Sequence, residues 1–342
     1  MPEKIRVAIV GAGGVANVAH APAYAQLENV TLAAVCDLVK EKADALAVKY
    51  SAKPYYDVEK MLHEEKPDIV DICTKEHHHF EPAMQSLEAG CHVFCEKIMT
   101  DSLEKGERMV QMAKSKGVYL GVDFNYRFMP FAIKLKELIA SRSIGELALI
   151  NAFANASCTH HIIDLMLFFG GPVVEVSAKY VHTKDEKYHF PIKAGKWVYV
   201  PSRSEVVCMT YENEALGSLT STTLTHNIDE NPQWFSFDCI GETSRIMTDN
   251  IRISDIVGKL RMFPGNKQIE LPDEKTLPCR DFQLAFSRSI GAFVDSVRQG
   301  KTPPVTGEDG FRALLIEEAI VVSHAQKCSV IIADGGIEKS PV

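Results

Sequence analysis

Two groups of side chains have the types and spacing that proton and hydride chemistry needs. The first is the ion pair Glu96-Lys97, which directly follows the apolar run Cys91 to Cys95. A lysine desolvated at the end of a buried strand can hold a hydroxyl oxygen and stabilise charge that develops on it. The second is His161 with Asp164, three residues apart on one face of a predicted short helix. Imidazole titrates near neutral pH, and a carboxylate at that spacing can orient it.

Both groups also have simpler explanations. Lys97 can be a solvated charge at the end of a strand, and His161 can cap its helix or be a buried histidine bonded to backbone. The neighbouring His160 leaves open which ring of the doublet faces a site. The chemical interpretation therefore depends on whether the chain before Lys97 builds a cofactor site.

The first forty residues predict such a site. The β-branched run Ile5 to Val10 leads into Gly11-Ala12-Gly13-Gly14-Val15-Ala16, a G-x-G-x-x-A sequence followed by the predicted helix Ala16 to Leu27. In this strand–turn–helix context Gly11 permits the tight turn, and Gly13 lets the backbone approach a pyrophosphate. Gly14 and Val15 lead into this helix, whose N-terminus attracts the anion.

Asp37 ends the second predicted strand, roughly twenty residues past the glycines, where a ribose-binding acid belongs. A carboxylate there accepts hydrogen bonds from the ribose hydroxyls and repels a 2′-phosphate, so the sequence predicts NAD in preference to NADP. The alternative is a strand-end aspartate that caps the next helix.

Strands and helices continue to alternate up to residue 125, with helices predicted over Lys40 to Tyr50, Val58 to Glu65 and Leu103 to Lys116. This alternation predicts a doubly wound parallel sheet with ligands at the carboxyl ends of its strands. We expect a first group of residues at these ends to line the cofactor cleft, and a second group to lie near the substrate. The cofactor group is Thr74, His77, His79, Glu96 and Lys97, and the substrate group is Asn125 and Arg127. Arg127 can reach an acidic substrate, or alternatively form an ion pair with a carboxylate of the second domain.

The triplet His77-His78-His79 does not predict a metal site. Neighbouring histidines at a loop–helix junction point in different directions, and no acidic or cysteine partner follows at ligand spacing. Nine cysteines are scattered without a C-x-x-C pair, which indicates reduced thiols in a cytoplasmic protein and no structural zinc.

After Phe131 the pattern changes to strands of similar length joined by short turns, which predicts a mostly antiparallel open sheet. Two late helices, Asp281 to Arg298 and Glu308 to Ala325, have apolar faces that we expect to pack on the first domain. The predicted fold is α/β: a Rossmann domain over residues 1–125 and an α+β domain for substrate and oligomerisation over residues 126–342.

Composition limits the partners. A net charge of −8 over 342 residues disfavours nucleic acid and anionic membranes, because phosphate binding needs clustered lysine and arginine. No apolar run approaches the ~20 residues that span a bilayer. The expected ligand is therefore a small molecule.

The middle of the domain resembles the glucose–fructose oxidoreductase, inositol dehydrogenase and MocA (Gfo/Idh/MocA) family. Members read T-P-x-x-x-H, A-L-x-A-G-K-H-V and E-K-P, and this chain runs from Thr74 to His79, from Leu87 to Val93 and through Glu96-Lys97 without a gap. The resemblance extends to the glycine loop and to three later stretches. These are Val122 to Pro130, His161-Ile162-Ile163-Asp164 and Val305 to Gly310.

The resemblance implies an NAD-dependent oxidoreductase that acts on a sugar, a polyol or a related carbonyl compound. It implies that Lys97 positions the reacting oxygen, that His161 relays the proton, and that the Glu96-Lys97 pair touches the cofactor. Asn155, just before His161 in the chain, is a candidate for substrate binding. The family's architecture further implies a homodimer or homotetramer that assembles through the second sheet.

Two departures limit the carry-over. Ile98 stands where members have proline after the lysine, so Lys97 lacks the restriction that proline imposes on the residue before it. Ser157 stands where polyol dehydrogenases of the family commonly carry an aspartate, and a hydroxyl cannot replace a carboxylate as base. Two alternatives follow: a non-catalytic regulatory protein that senses a dinucleotide or metabolite, and an enzyme that uses a tightly bound cofactor for internal redox.

Overall fold

The computed structural model describes residues 4–155, 159–182, 190–192, 196–198, 203–222, 234–248, 251–252, 260–265, 267–269, 282–333 and 336–339. The chain forms two compact units. The first comprises Met1–Phe128 with Gln283–Leu314, and the second comprises Met129–Phe282 with Leu315–Val342. Among the described helices, none has the length and apolar character to cross a membrane.

Nine α-helices lie in the described part of the chain. They are α1 (Ala21–Ala25), α2 (Lys40–Tyr50), α3 (Val58–Glu65), α4 (Phe80–Glu88), α5 (Leu103–Lys116), α6 (Pro130–Ala140), α7 (Thr159–Gly170), α8 (Phe282–Gln299) and α9 (Gly307–Gln326). Short 3₁₀ turns cover Glu76–His78 and Asn125–Phe128.

The first unit is built on a six-stranded parallel sheet with the order β3-β2-β1-β4-β5-β6. Its strands are β1 (Ile5–Val10), β2 (Val30–Cys36), β3 (Lys53–Tyr55), β4 (Ile69–Ile72), β5 (His92–Cys95) and β6 (Leu120–Val122). The order changes direction at β1, where β2 and β4 flank it on either side, and ligands bind in sheets of this type at such a switch point.

Local chemistry explains why the helices of this unit start and stop as predicted. The side chain of Asp57 accepts the backbone N–H of Lys60 at 2.8 Å and caps α3. Ser102 caps α5 in the same way, and Gly117 ends it in the left-handed region at φ +66°. The edge strand β3 did not stand out in the sequence, because it is three residues long and contains Pro54.

The helix after the glycine loop differs from the predicted Ala16 to Leu27. It contains a π-helical segment, Ala16–His20, before α1, and the N–H of Ala21 donates to the carbonyl of Ala16. A π-turn holds one residue more than an α-turn, so it changes which side chains face the sheet, and such turns are frequent at functional sites. Here the segment ends at His20, whose side chain is completely buried.

Helix α8 packs on the parallel sheet within the first unit. Ser289 donates its hydroxyl to Asp123 at 2.6 Å, just past β6. The ring of Phe293 lies 4.9 Å from that of Phe94, and a Cβ at Gly121 would come within 2.7 Å of the Phe293 ring. The absence of a side chain at Gly121 therefore lets α8 approach β6 closely.

The second unit contains an eleven-stranded sheet with the order β17-β16-β14-β13-β7-β12-β11-β8-β18-β19, and β15 pairs with β13. Its central strands are β7 (Leu147–Asn155), β8 (Val173–His182), β11 (Arg203–Tyr211), β12 (Leu216–Thr222) and β13 (Trp234–Gly241). The outer strands are β14 (Arg245–Thr248), β15 (Ile251–Arg252), β16 (Leu260–Phe263), β17 (Lys267–Ile269), β18 (Val330–Ala333) and β19 (Gly336–Lys339). A separate pair joins β9 (Phe190–Ile192) to β10 (Lys196–Val198). All pairs in the large sheet are antiparallel except β7 with β12, which confirms the predicted fold class.

Within the part of the chain that the structure describes, one face of the large sheet is covered and the other is open. On the covered face Phe237 meets Phe169 of α7 edge to face at 5.3 Å, and Tyr211 donates its hydroxyl to the Met166 carbonyl. The opposite face carries apolar side chains that are at least one-third exposed. These are Phe153, Val181, Val206 and Leu216.

Candidate active site

The carboxyl edge of the parallel sheet collects most of the predicted site residues of the first unit. Gly11, Cys73, Glu96 and Asp123 each follow a strand and donate a backbone N–H to the last residue of the neighbouring strand, at 2.8, 2.7, 2.9 and 2.8 Å. The chain segments after β1, β4, β5 and β6 are therefore held side by side.

The glycines of the glycine loop are needed for two different reasons, backbone conformation at Gly11 and open space at Gly13 and Gly14. Gly11 has φ +98°, and a Cβ there would lie 2.7 Å from backbone atoms of Cys73 and Thr74. At Gly13 and Gly14 a Cβ would meet nothing within 4 Å, so the space beside this stretch of backbone is open. Open space beside exposed N–H groups at a helix start fits the close approach of a pyrophosphate. Val15, the next residue, continues the helix.

Asp37 is tied to this loop. One carboxylate oxygen accepts the backbone N–H of Ala12 at 2.8 Å, and the other accepts that of Val39 at 2.8 Å. Helix α2 has Val39 at its N-cap and no side-chain capping bond, so Asp37 does not serve as its cap. The carboxylate thus lies beside the glycine loop, where it can accept from a ribose.

The residues after β4 divide into exposed and buried groups. His77 is exposed and its ring lies 4.1 Å from that of His78. His79 is buried, and its ring nitrogens lie 3.1 Å from the Thr74 carbonyl and 2.8 Å from the Ile98 carbonyl. Burial lowers the pKa of His79 more than these contacts raise it. His79 therefore connects the loop after β4 to the loop after β5.

Glu96 and Lys97 lie directly after β5. The Glu96 carboxylate is buried; one oxygen lies 2.9 Å from Nε2 of His20, and the other accepts the backbone N–H of Lys97 at 3.2 Å. Burial alone would raise the pKa of Glu96, but the hydrogen bond and charge of His20 outweigh it and lower that pKa. Lys97 is half-buried, its ammonium makes no hydrogen bond or ion pair to any described residue, and the Lys97–Ile98 peptide is cis.

A buried charge cluster under Glu96 escaped the sequence analysis. It consists of His20, Asp71, Glu96 and Asp123, none of which is more than 7% exposed. The available signal was an ionisable residue inside an apolar run: Asp71 interrupts a buried strand, and Asp123 follows one. Lysine and carboxylate side chains are almost never fully buried unless they are paired. Each such residue in an apolar run therefore predicts a buried partner.

The two residues proposed to lie near a substrate have different surroundings. Asn125 is fully buried, and neither its amide nitrogen nor its amide oxygen has a hydrogen-bond partner among the described residues. Arg127 is also buried, and its guanidinium lies 3.5 Å from the carboxylate of Asp309 at the start of α9. The ion-pair alternative for Arg127 therefore has a partner within the first unit.

The histidine doublet of the second unit lies on α7. His161 and Asp164 are buried, at 5% and 0% exposure, and stand three residues apart on the helix. Nδ1 of His160 lies 3.5 Å from a carboxylate oxygen of Glu317 on α9. Asn155 is the last residue of β7, and its side chain, like all of Ser157, lies outside the described residues.

Comparison with known proteins matches both parts of the chain to one family. Residues 5–124 match the family model described as "Oxidoreductase family, NAD-binding Rossmann fold". Residues 155–332 match the model described as "Oxidoreductase family, C-terminal alpha/beta domain". Together the two matches span most of the chain.

Individual relatives agree with this match. A D-glucoside 3-dehydrogenase of Escherichia coli is 39% identical over 177 residues, which is half of this chain and half of that protein. A myo-inositol 2-dehydrogenase of Thermotoga maritima is 25% identical over 95% of this chain and 98% of its own length. The crystal structure of an oxidoreductase domain protein from Kribbella flavida shares the fold with a TM-score of 0.83, covering 97% of this chain and all of that one at 20% identity. The chain therefore belongs to the Gfo/Idh/MocA family of oxidoreductases and carries that family's NAD-binding Rossmann domain.

Proposed function

We propose that this protein is an NAD-dependent dehydrogenase or reductase that acts on a CH–OH group of a sugar or polyol, or on the corresponding carbonyl compound. The observation that carries the proposal is the Lys97 ammonium: it is half-buried, it feels the negative charge of Glu96, and it makes no hydrogen bond or ion pair to a described residue. A half-desolvated cation at the carboxyl edge of a dinucleotide-binding sheet is suited to hold a substrate oxygen.

The residues around the glycine loop fit NAD. Gly11, Gly13, Gly14 and Val15 form the turn and helix start that bind the pyrophosphate, and Asp37 accepts from the ribose. Thr74, His77, His79 and Glu96 complete the cofactor group; of these, His79 acts through the two loops that it connects. NAD is favoured over NADP because the Asp37 carboxylate repels a 2′-phosphate.

The proposed reaction has two parts, the transfer of a hydride and the transfer of a proton. NAD, which the glycine loop and Asp37 would hold, would supply the hydride acceptor for the carbinol carbon, or the hydride donor in the reverse direction. Lys97 donates a hydrogen bond to the reacting oxygen and stabilises its developing negative charge. His161 accepts the hydroxyl proton, and Asp164, three residues on, orients the imidazole.

The substrate class rests on the relatives and on the chain's charge. The two relatives compared above are named for glucoside and inositol dehydrogenation, which are both oxidations of ring hydroxyls. Asn125 supports a hydroxylated ligand, since its buried amide has both a donor and an acceptor to offer. Asn155 and Arg127 are further candidates for substrate contact.

The test is a screen of the purified protein for NADH formation with aldoses, glucosides, inositols and their acids, and for NADH consumption with the matching ketones. We expect turnover with at least one ring hydroxyl compound and a preference for NAD. Tight binding of NAD(H), measured by calorimetry, without turnover on any member of the panel would contradict the enzyme and favour the sensing protein.

We propose in addition that the open face of the large sheet is an interface between copies of this chain, in a homodimer or homotetramer. Four apolar side chains converge on that face, and Phe153 stacks on Trp234 at 5.0 Å. Apolar side chains that are exposed together on one face of a sheet are typical of an association site. Static light scattering should give a dimer or tetramer, and Val206→Lys with Leu216→Lys should lower the mass to that of one chain. A monomeric parent protein would contradict the interface.

A further inference from the structure

The buried charge cluster holds more ionisable groups than the proposed reaction uses. His20 lies at its centre and contacts three carboxylates that come from three different strands. Nδ1 lies 2.7 Å from Asp71 on β4, and Nε2 lies 2.9 Å from Glu96 after β5 and 3.6 Å from Asp123 after β6. Helix α8 closes the cluster through Phe286, 5.4 Å from the His20 ring, and through Ser289 on Asp123.

The number of protons that the two hydrogen bonds require indicates the charge state of the His20 ring. Two short contacts from one imidazole to two carboxylates need two protons on the ring, unless a carboxyl group carries one of them. Burial lowers the pKa of His20, but the Asp71 charge and hydrogen bond outweigh it and leave that pKa well above its ordinary value. The pKa of Asp123 is also raised, to about 8, by burial and by the charge of Glu96. For a carboxyl group a raised pKa favours the neutral form.

We propose that His20 is a positioning residue, a buried imidazolium that fixes the Glu96 carboxylate and, through it, the backbone and ammonium of Lys97. The chain of contacts is continuous: Asp71 holds Nδ1, Nε2 holds one oxygen of Glu96, and the other oxygen accepts the backbone N–H of Lys97. An orienting carboxylate on the far ring nitrogen is the usual way in which proteins set the direction of a histidine.

The π-helical segment Ala16–His20 connects His20 to the glycine loop. It begins directly after the glycine loop and ends at His20, so one short helical segment places both the pyrophosphate-binding loop and the imidazolium. A misplacement of about 1 Å at a reacting group can cost about 100-fold in rate. The position of Lys97 is therefore sensitive to His20, although His20 is itself completely buried.

The groups facing His20 make the arrangement dependent on pH. Besides the three carboxylates, the ionisable neighbours are Cys73 after β4, Tyr24 on α1, and Cys95 on β5, whose pKa values burial raises. Lys97 and His79 face Glu96. With the other groups unchanged, ionisation of Asp123 near pH 8 adds a second uncompensated anion beside His20 and strengthens the imidazolium.

The inference rests on the proposed function for its kinetic readout only. The key variants are His20→Gln, Glu96→Gln and the double variant, with His63→Gln on the exposed face of α3 as control. We expect His20→Gln to lower kcat about 100-fold with a substrate KM changed only a few-fold. In the Glu96→Gln background the same change should add less than about three-fold, because His20 acts through Glu96. Full multiplication of the two effects would overturn the proposal.

Two further measurements keep the test independent of folding and of turnover. If His20→Gln does not fold, His20→Gln with Asp71→Asn replaces the buried ion pair by an amide pair, and the same loss of kcat is expected. ¹⁵N NMR of histidine-labelled protein, assigned with a variant of His20 that folds, should show both ring nitrogens protonated at pH 7. A neutral ring at pH 7 would overturn the imidazolium, even if no substrate is found. A stoichiometric metal ion in the purified protein would do so too, since the ligand atoms of His20, Glu96 and Asp123 lie within 4.8 Å of one another.

Discussion

Asp37 accepts the backbone N–H of Ala12 at 2.8 Å, so the acid after β2 and the glycine loop after β1 form one connected unit. The carboxylate has a structural task in addition to the proposed contact with a ribose. Any change at Asp37 therefore has to separate the loss of charge from the loss of this hydrogen bond.

Asp37→Asn removes the negative charge that repels a 2′-phosphate and keeps one of the two hydrogen bonds. The amide oxygen can still accept the backbone N–H of Ala12, whereas the amide NH2 group cannot accept that of Val39. We expect the ratio of kcat/KM for NAD to that for NADP to fall about ten-fold, or ~1.4 kcal/mol. Asp44→Asn on α2, which changes a carboxylate bonded to Tyr56, is the matched control. An unchanged ratio in Asp37→Asn would show that this acid does not select the cofactor.

The glycine loop allows a contrast between stability and binding. Gly11→Ala forces a side chain into φ +98° and within 2.7 Å of neighbouring backbone, so unfolding should become easier by at least about 1–3 kcal/mol. Gly13→Ala has open space, so its melting temperature should stay within a few degrees while its Kd for NAD rises ten-fold or more. Thermal unfolding and calorimetric titration measure the two effects. Equal effects of both variants on NAD binding and stability would contradict this division.

Lys97→Met removes the proposed oxygen-holding ammonium and keeps most of the aliphatic stem. We expect kcat/KM to fall at least about 100-fold, while NAD affinity changes only a few-fold, because the lost interaction strengthens in the transition state. Lys97→Arg should not restore the rate, since a planar guanidinium cannot replace a compact ammonium. The control is Lys75→Met, an exposed lysine in the loop after β4. Turnover that survives Lys97→Met would remove this residue from the mechanism without touching the enzyme assignment.

The histidine doublet is tested by two single changes. His161→Gln should lower kcat by about 100-fold or more and abolish the limb of the pH–rate profile that reports the base. His160→Gln loses a partly buried contact with Glu317 and should leave kcat within about three-fold. If the two variants exchange these phenotypes, His160 is the proton relay and the predicted register on α7 is wrong.

Asp123 should make folding stability depend on pH. Its pKa is raised to about 8 by burial, far above the unfolded value near 4, so the folded state binds the extra proton between these values. The stabilisation that protonated Asp123 contributes is full below pH 4 and is lost as pH rises toward 8. Asp123→Asn keeps an acceptor for Ser289 and removes the titration. The melting temperature of Asp123→Asn minus that of the parent protein should therefore increase from pH 5 to pH 8. Parallel curves of melting temperature against pH would contradict the raised pKa of Asp123.

The bounds of some helices in the first unit were predictable from the sequence. Helices α2 and α5 begin and end at the residues expected, Lys40–Tyr50 and Leu103–Lys116, because periodic apolar positions and left-handed C-terminal residues define them locally. The π-turn at Ala16–His20 was not predictable in the same way. Its sequence reads as an ordinary helix, and the extra residue per turn is decided by packing against the sheet.

The sequence by itself determined the parallel sheet, the glycine loop at its switch point and the strand ends that carry Asp37 and Lys97, because these features follow from local periodicity and turn chemistry. Only the tertiary structure decided the surroundings of Lys97. His20 meets Asp71 and Glu96 across 51 and 76 residues, and no local pattern connects positions that far apart. The charge of a buried group depends on the distance to its partners, so the protonation of this cluster appears only when β4, β5, β6 and the π-helical segment are assembled.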